Sequence, residues 1–168
     1  MPNRIIKVRR AEEVDAVRGL VWEFFDVMRE RYPDMLQTID DYIAEQNIAG
    51  ELEHFGKVFM PPLGECLMAL RRDVPVGMIM LKPHGHTDCE MNRMYVREGA
   101  RGHGIGRQLS EDIIREARAL GYQTMWLDAL YRHVEAIPLY ESLGFKRHTD
   151  PDVFGGDDKR IIHMRMKL

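Results

Sequence analysis

The sequence predicts a single α/β domain over residues 1–168, in which flanking helices cover a mixed, mostly antiparallel sheet of about seven strands. The main observation is a strand pattern at Cys89–Val96 that runs through a glycine-rich turn into an amphipathic helix and then into another strand at Thr124–Ala129. Such a βαβ unit makes its two strands parallel and lies at the centre of the predicted sheet. No linker or internal repeat divides the chain, and its length suits one domain.

The N-terminal third is predicted to supply one strand and two helices. Ile5–Val8 is short and β-branched, which favours a strand. In residues 11–31 apolar side chains recur every three or four positions behind an acidic first turn, which predicts a long amphipathic helix. Tyr32-Pro33 ends this helix, and Asp34 is expected to cap a shorter one. The segment Gly50–Glu65 has no usable period and is expected to be a loop.

The rest of the chain is predicted to combine strands with two more helices. The apolar stripe that begins at Ile105 predicts a helix that Gly121 closes. A second helix is expected over His133–Leu143, where Pro138 should bend it or delay its start. Besides the strands of the βαβ unit, strands are predicted at Cys66–Leu70, Val76–Leu81, Lys146–Thr149 and Ile161–Leu168.

Composition excludes several classes of protein. The net charge of −3 gives no general attraction to nucleic acid or to an anionic membrane, so neither is an expected partner. Cys66 and Cys89 are too few for a disulfide framework, which suits a reducing compartment. The first residues do not resemble a signal peptide and no apolar run approaches membrane-spanning length, so a cytoplasmic location is expected. The sequence does not define the oligomeric state, and a homodimer is expected beside a monomer because the predicted fold exposes a strand edge.

The turn between the central strand and its helix has the features of a phosphate-binding loop. Arg101-Gly102-His103-Gly104-Ile105-Gly106 leads directly into the helix, whose first N–H groups have no partners and carry partial positive charge. The dinucleotide fingerprint G-x-G-x-x-G fails because Arg107 and Leu109 occupy the positions where a third glycine is required. The Gly-Lys-Ser/Thr of a P-loop does not occur in the chain.

This R-x-x-G-x-G turn resembles the coenzyme A pyrophosphate loop of the GNAT superfamily of N-acyltransferases. The resemblance extends through Glu90–Val96 upstream and through Ala136–Phe145, which is similar to the C-terminal signature of that family, so that it covers roughly residues 66–168. It implies the GNAT fold, acetyl-CoA as the acyl donor, and transfer of the acetyl group to a primary amine of a small molecule or peptide by direct attack in a ternary complex. The alternative is a non-catalytic module that senses or binds acyl-CoA.

The resemblance also implies which residues bind the cofactor. The main chain of Met94, Tyr95 and Val96 is expected to run beside the pantetheine arm, as an added strand would. His133 occupies a position where many members of the family carry an asparagine that touches the cofactor, and its alternatives are a base that assists catalysis or a loop residue. The pyrophosphate is expected to lie on the turn itself, formed by Arg101, Gly102, His103, Gly104, Ile105, Gly106 and Arg107.

Two catalytic residues are expected from the same resemblance and from the chemistry of acyl transfer. An alkyl amine is mostly protonated at neutral pH, so a base within reach helps. Glu90 lies eleven residues before Arg101, where family members with a glutamate base carry it. A structural carboxylate paired with Arg93 or a lysine is an equal alternative, because many family members use other residues or only water. Tyr140 matches the signature tyrosine and is expected to protonate the departing thiolate; a packed helix tyrosine is its alternative.

The sequence leaves the acceptor undefined. By resemblance the acceptor site is expected to use the first two helices and the loop between the last two strands. Carboxylates in those segments would favour a cationic amine, or would simply form an acidic surface; they are Asp34, Asp40, Asp41, Glu45, Asp150, Asp152, Asp157 and Asp158. His84, His86 and Cys89 offer three potential ligands without a fourth, so no metal site is predicted.

Overall fold

The computed structural model describes residues 3–131, 136–149 and 158–168. The described residues form seven strands and six helices. In chain order these are β1 (Arg4–Lys7), α1 (Ala11–Arg31), α2 (Leu36–Glu45), α3 (Ile48–Glu53), α4 (Phe55–Val58), β2 (Glu65–Arg71), β3 (Val74–His84), β4 (Asp88–Val96), α5 (Ile105–Ala119), β5 (Thr124–Leu130), α6 (Ala136–Leu143), β6 (Lys146–Arg147) and β7 (Ile161–Lys167).

All seven strands belong to one sheet in the order β1-β2-β3-β4-β5-β7-β6. Only β4 and β5 are parallel, and helix α5 connects them, so the predicted central βαβ unit and the mixed, mostly antiparallel sheet are confirmed. The parallel ladder has three residue pairs and ends where Glu90 faces Trp126. No helix in the described part of the chain has the length and apolar character needed to cross a membrane.

Two hydrophobic cores cover the two faces of the sheet. The α1 face is the side packed against α1–α4, and it receives Met78 and Met80 from β3. The α5 face is the side packed against α5 and α6, and it receives Ile79 and Leu81 from the same strand. This alternation is the period of two that a strand imposes on side chains that are buried on both faces.

The long helix α1 has the predicted bounds, but two predictions about the N-terminal third are wrong. Residues 50–65, expected to be a loop, contain most of α3 and all of α4. These helices are too short to show a helical period, yet each has a buried apolar side chain, Leu52 in α3 and Phe55 in α4. Asp34 does not cap α2, because the cap position is Met35 and no side-chain hydrogen bond is made there.

A β-bulge in β4 changes which side chains face the helices. The register between β3 and β4 shifts between Met78 and Met80, and Arg93, at the same point, has the positive φ of 55°. Strict alternation from Met91, which lies on the α5 face, would put Tyr95 on that face as well. Tyr95 instead joins the core of the α1 face, because the extra residue at the bulge resets the alternation.

Candidate active site

The site begins where β4 and β5 separate. Their ladder ends at the pair Glu90–Trp126, but β4 continues to Val96 and β5 to Leu130. The second half of β4 therefore turns an edge of main-chain groups toward a gap in the middle of the sheet. The resemblance predicted such a free edge along Met94, Tyr95 and Val96, and the pairing of the strands supplies the physical reason for it.

One cavity of about 510 Å³ occupies this gap and continues to both sides of it. Its wall joins the glycine turn to Glu90, so the segments expected to bind the cofactor and to perform catalysis share one space. The lining comes from β4 and β5, from one face of α1 and α2, from the glycine turn with the start of α5, and from α6.

The glycine turn is shaped by backbone conformations that side chains rarely adopt. Gly102 and Gly104 have φ values of 82° and 75°, and a Cβ added to either would meet no atom within 4 Å. Gly104 precedes the first turn of α5, in which Gln108 is the first residue whose N–H reaches back to the Gly104 carbonyl. The N–H groups between them are consequently available to an anion in open space.

Gly106 has a different reason for lacking a side chain. Its φ is not in the left-handed region, but an added Cβ would lie 3.4 Å from Cε of Met94 and 3.9 Å from Leu139. The start of α5 thus packs closely against β4 and α6, with Ile105 anchoring it in the core of the α5 face. This packing fixes the direction in which the first N–H groups of α5 point.

The sequence predicted that all side chains of the turn bind the cofactor, but only some of the charged and polar ones line the cavity. Arg101 lines the cavity, and its Nε donates to the carbonyl of Val96 at 3.0 Å, which ties the turn to the end of β4. Arg107 donates instead to Ser142 at 3.0 Å, and neither it nor the exposed His103 lines the cavity. His133 lies outside the described residues.

Glu90 is the carboxylate at the point where the two strands separate. Burial raises its pKa above the ordinary value, while the cation of Lys82, its cross-strand neighbour, acts against this and the anion of Asp128 adds to it. Nδ2 of Asn92 lies 3.4 Å from Oε1 of Glu90. A carboxylate with a raised pKa is a stronger base, so this environment suits proton abstraction.

Asp128 and His163 form a pair beside Glu90 that the sequence did not predict. Nδ1 of His163 lies 2.5 Å from Oδ1 of Asp128, and Asp128 lines the cavity from β5. The two residues are cross-strand partners in β5 and β7. The signal available in the sequence was a polar residue in the middle of each apolar strand, but the pairing of those strands was needed to bring the residues together.

Tyr140 lies on α6 and lines the same cavity as Glu90 and the glycine turn. Burial raises the pKa of its phenol well above the ordinary value, so the hydroxyl stays protonated over the working range of a protein. Its ring packs edge-on against Phe145 with centroids 5.9 Å apart. Both expected catalytic residues are therefore brought to one cavity, on opposite sides of the gap.

Arg93, considered from the sequence only as a partner for Glu90, is a charged residue of the cavity wall. Its guanidinium carbon lies 5.6 Å from the centre of the Phe25 ring, and its nearest carboxylate is Glu51, with Nη2 3.9 Å from Oε1. Only 3% of its side chain is exposed. The bulge of β4 carries this residue to the α1 face, and strand alternation read from the sequence would have sent it to the other side.

Of the acidic residues expected at the acceptor site, Asp150, Asp152 and Asp157 lie outside the described residues, and three of the others have partners that do not line the cavity. Asp40 pairs with Arg29 at 3.1 Å, and Asp41 accepts from Gln37 at 2.8 Å. Asp158 pairs with Arg160 at 2.8 Å. The acidic residues among the described lining of the cavity are Glu90 and Asp128 alone, so the acidic segments of α2 do not supply its charge.

The cysteines and the nearby histidine have structural surroundings. Both cysteines are buried, and burial raises the pKa of Cys89 to about 12 and that of Cys66 still further. A thiol with so high a pKa is a poor nucleophile near neutral pH. His84 packs against the Trp126 ring with centroids 5.0 Å apart. Among the described residues, no three of His, Cys, Asp or Glu are grouped as a metal site would require.

Two parallel strands that separate beside a glycine turn are typical of an α/β protein that binds a phosphate-containing ligand. Comparison with known proteins gives the family. The model of the acetyltransferase (GNAT) family matches residues 18–145. An uncharacterized N-acetyltransferase of Schizosaccharomyces pombe is 32% identical over 168 residues, covering 98% of this chain and 94% of that protein. The chain belongs to the GNAT acetyltransferase family, as the glycine turn and the C-terminal signature indicated.

Solved structures share the whole fold at lower identity. A GNAT-family acetyltransferase from Staphylococcus aureus aligns with a TM-score of 0.75 at 18% identity, over 99% of both chains. The PaiA N-acetyltransferase of Thermoplasma acidophilum, solved in complex with coenzyme A, aligns with a TM-score of 0.72 at 17% identity, over 100% of both chains. At this level of identity the likeness establishes the fold.

Proposed function

We propose that this protein transfers an acetyl group from acetyl-CoA to a primary amine of a small molecule or peptide, by direct attack in a ternary complex. The observation that carries the proposal is the end of the β4–β5 ladder at Glu90, because it opens one cavity that contains a base, a free strand edge and an anion-binding turn. The relatives named as N-acetyltransferases support the reaction type.

The residues at the glycine turn fit the coenzyme. The open space above Gly102 and Gly104 and the free N–H groups before Gln108 suit a pyrophosphate. The unpaired edge of β4 suits a pantetheine arm, which carries amide groups that hydrogen-bond as a strand does. The structural neighbour solved with coenzyme A supports this assignment. When bound, acetyl-CoA supplies an acetyl group activated as a thioester.

Glu90 takes the proton from the acceptor amine. An alkyl ammonium has a pKa of about 10.4, so a glutamate with an ordinary pKa of about 4.3 is a weak partner for it. Burial and Asp128 raise the pKa of Glu90, which narrows this gap and makes the transfer less uphill. A main-chain N–H on the free edge of β4 can donate to the carbonyl oxygen of the acetyl group as negative charge develops there.

Tyr140 holds a proton on the opposite side of the cavity. Because burial raises the pKa of the phenol, its oxygen remains a hydrogen-bond donor even at alkaline pH. The same apolar surroundings make a thiolate more basic, so the hydroxyl can donate to the sulfur, or protonate it, as coenzyme A departs.

Release of free coenzyme A thiol from acetyl-CoA, measured over a broad panel of amines, tests the proposal. We expect release that depends on one class of amine and yields the N-acetylated product by mass spectrometry. If acetyl-CoA binds in calorimetry but no amine of the panel produces thiol, the protein is the alternative, a non-catalytic acyl-CoA-binding module.

A further inference from the structure

Arg93 occupies the acceptor side of the cavity, on the same strand and the same face as Glu90. The bulge in β4 adds Arg93 to the set of side chains that face α1, so the strand presents a carboxylate and a guanidinium three residues apart to one space. Its φ of 55° is unusual for a residue with a side chain and costs free energy. Backbone strain of this kind is often associated with binding sites.

The guanidinium is buried but incompletely satisfied. Nη1 contacts Sδ of Met80 at 4.0 Å, whereas Nε and Nη2 make no hydrogen bond. The contact between Nη2 and Glu51, at 3.9 Å, is too long for one. Burying an arginine whose N–H groups have no acceptor is costly, since each such group gave up its hydrogen bonds to water.

The carboxylate nearest to Arg93 is also engaged by a second cation. The nearest carboxylate, Glu51, is already held by Lys82 through a 3.1 Å contact with its Nζ. Two cations therefore share one carboxylate at this wall. Arg93 and Glu90 also interact electrostatically, since the cation of Arg93 acts to lower the pKa of Glu90. The hydroxyl-bearing side chain of Tyr42 lines the same part of the cavity.

We propose that Arg93 binds a carboxylate of the acceptor, so that the acceptor is a small amino acid or a similar molecule with an amine and a carboxylate. The planar fork of a guanidinium matches a carboxylate and supplies two parallel donors. An acceptor held this way directs its amine toward Glu90 on the same face of the strand. The inference rests on the proposed acetyl transfer and specifies its substrate class.

The test compares each amino acid with its primary amide and with the amine formed by removing the carboxylate, as acceptors for wild-type protein. We expect kcat/KM for the amino acid to exceed that for the amide by about 30-fold or more, because a charge-assisted hydrogen-bond pair is lost in the amide. The amide has the less basic amine and hence more of the reactive free form, so this preference opposes intrinsic reactivity.

Two variants assign the preference to Arg93. In Arg93→Met the advantage of the acid over the amide should fall to within a few-fold, through a higher KM for the acid, while KM for acetyl-CoA stays unchanged. Arg93→Lys should retain part of the advantage, because it keeps the charge but not the fork. Arg29→Met is the control: Arg29 lies on α1, pairs with Asp26 and Asp40, and does not line the cavity.

An inhibition measurement on the wild type does not depend on the folding of any variant. Simple carboxylates that lack an amine should inhibit competitively against the acceptor, and the corresponding carboxamides should not. Turnover of amines with no preference for a carboxylate would overturn this assignment and leave the acetyl transfer standing. No thiol release with any amine would overturn the transfer itself, and the assignment with it.

Discussion

The glycine turn offers a ligand main-chain N–H groups of consecutive residues at the start of α5, whereas the α1 face of the cavity carries side chains from strands and helices that are distant in sequence. The turn depends on the φ angles of Gly102 and Gly104 and on the start of α5. The proposed acceptor side contains Glu90, Arg93 and Asp128, which the bulge and the strand pairing bring together. The main-chain groups of the turn suit a ligand that a whole family shares. The side chains of the α1 face can differ between family members without changing the turn.

The largest effect is expected on the acceptor side. Glu90→Gln removes the proposed base but keeps the size of the side chain, so kcat should fall by about 10³-fold. Calorimetric affinity for acetyl-CoA should stay within a few-fold of the wild type, because Glu90 is separate from the glycine turn. Equal turnover in both proteins would remove Glu90 from the mechanism and favour water as the base.

A substitution in the glycine turn should instead lower the affinity for acetyl-CoA. Gly104→Val places a β-branched side chain at a φ of 75° and into the open space over the helix N-terminus, so acetyl-CoA affinity should fall by about 100-fold. Gly99→Ala is the matched control, because Gly99 is exposed, its φ is not in the left-handed region, and an added Cβ meets no atom within 4 Å. Thermal unfolding of both variants separates loss of binding from loss of the fold. Unchanged affinity of Gly104→Val for acetyl-CoA would show that the glycine turn does not bind this cofactor.

Tyr140 lies between the two regions and should give a smaller effect. Tyr140→Phe keeps the packing of the ring against Phe145 but removes the hydroxyl, so we expect kcat to fall by about 10- to 100-fold. The deficit should shrink when the acceptor reacts from a thioester with a more acidic thiol, because such a thiolate needs no proton to depart. A constant deficit across thioesters would assign Tyr140 to positioning instead.

The smallest effect is a displacement of the pH profile. The proposed mechanism needs ionised Glu90, so kcat/KM should rise with pH through the pKa of this group. Lys82→Met removes a cation that lowers that pKa, and its acid limb should move to higher pH. Asp128→Asn removes an anion that raises it, and its limb should move to lower pH. Shifts of the same sign in both variants would contradict the assignment of the limb to Glu90.

The sequence was sufficient where the structure depends on neighbouring residues. The glycine turn, α1 and the βαβ unit follow from local spacing, whereas Glu90 is singled out by the family resemblance, which places a glutamate eleven residues before Arg101. Arg93 was not recognised as part of the site, because one extra residue in β4 reverses the face that alternation assigns to it. Asp128 and His163 lie in separate strands whose pairing is a tertiary property. The short helices α3 and α4 were not predicted, because their burial depends on tertiary packing and leaves no periodic pattern in the sequence.

The separation of β4 from β5 also bears on self-association. An unpaired strand edge is a template on which another chain can add a strand, and proteins usually protect such an edge with charge, proline or a covering element. Here the edge lies in the interior of the sheet, between two strands that remain joined at Asp88–Glu90. Residues of α1 and α2 line the cavity on one face of the sheet and residues of α5 and α6 line it on the other, so this edge is less open to a strand of a second chain than an outer edge of the sheet.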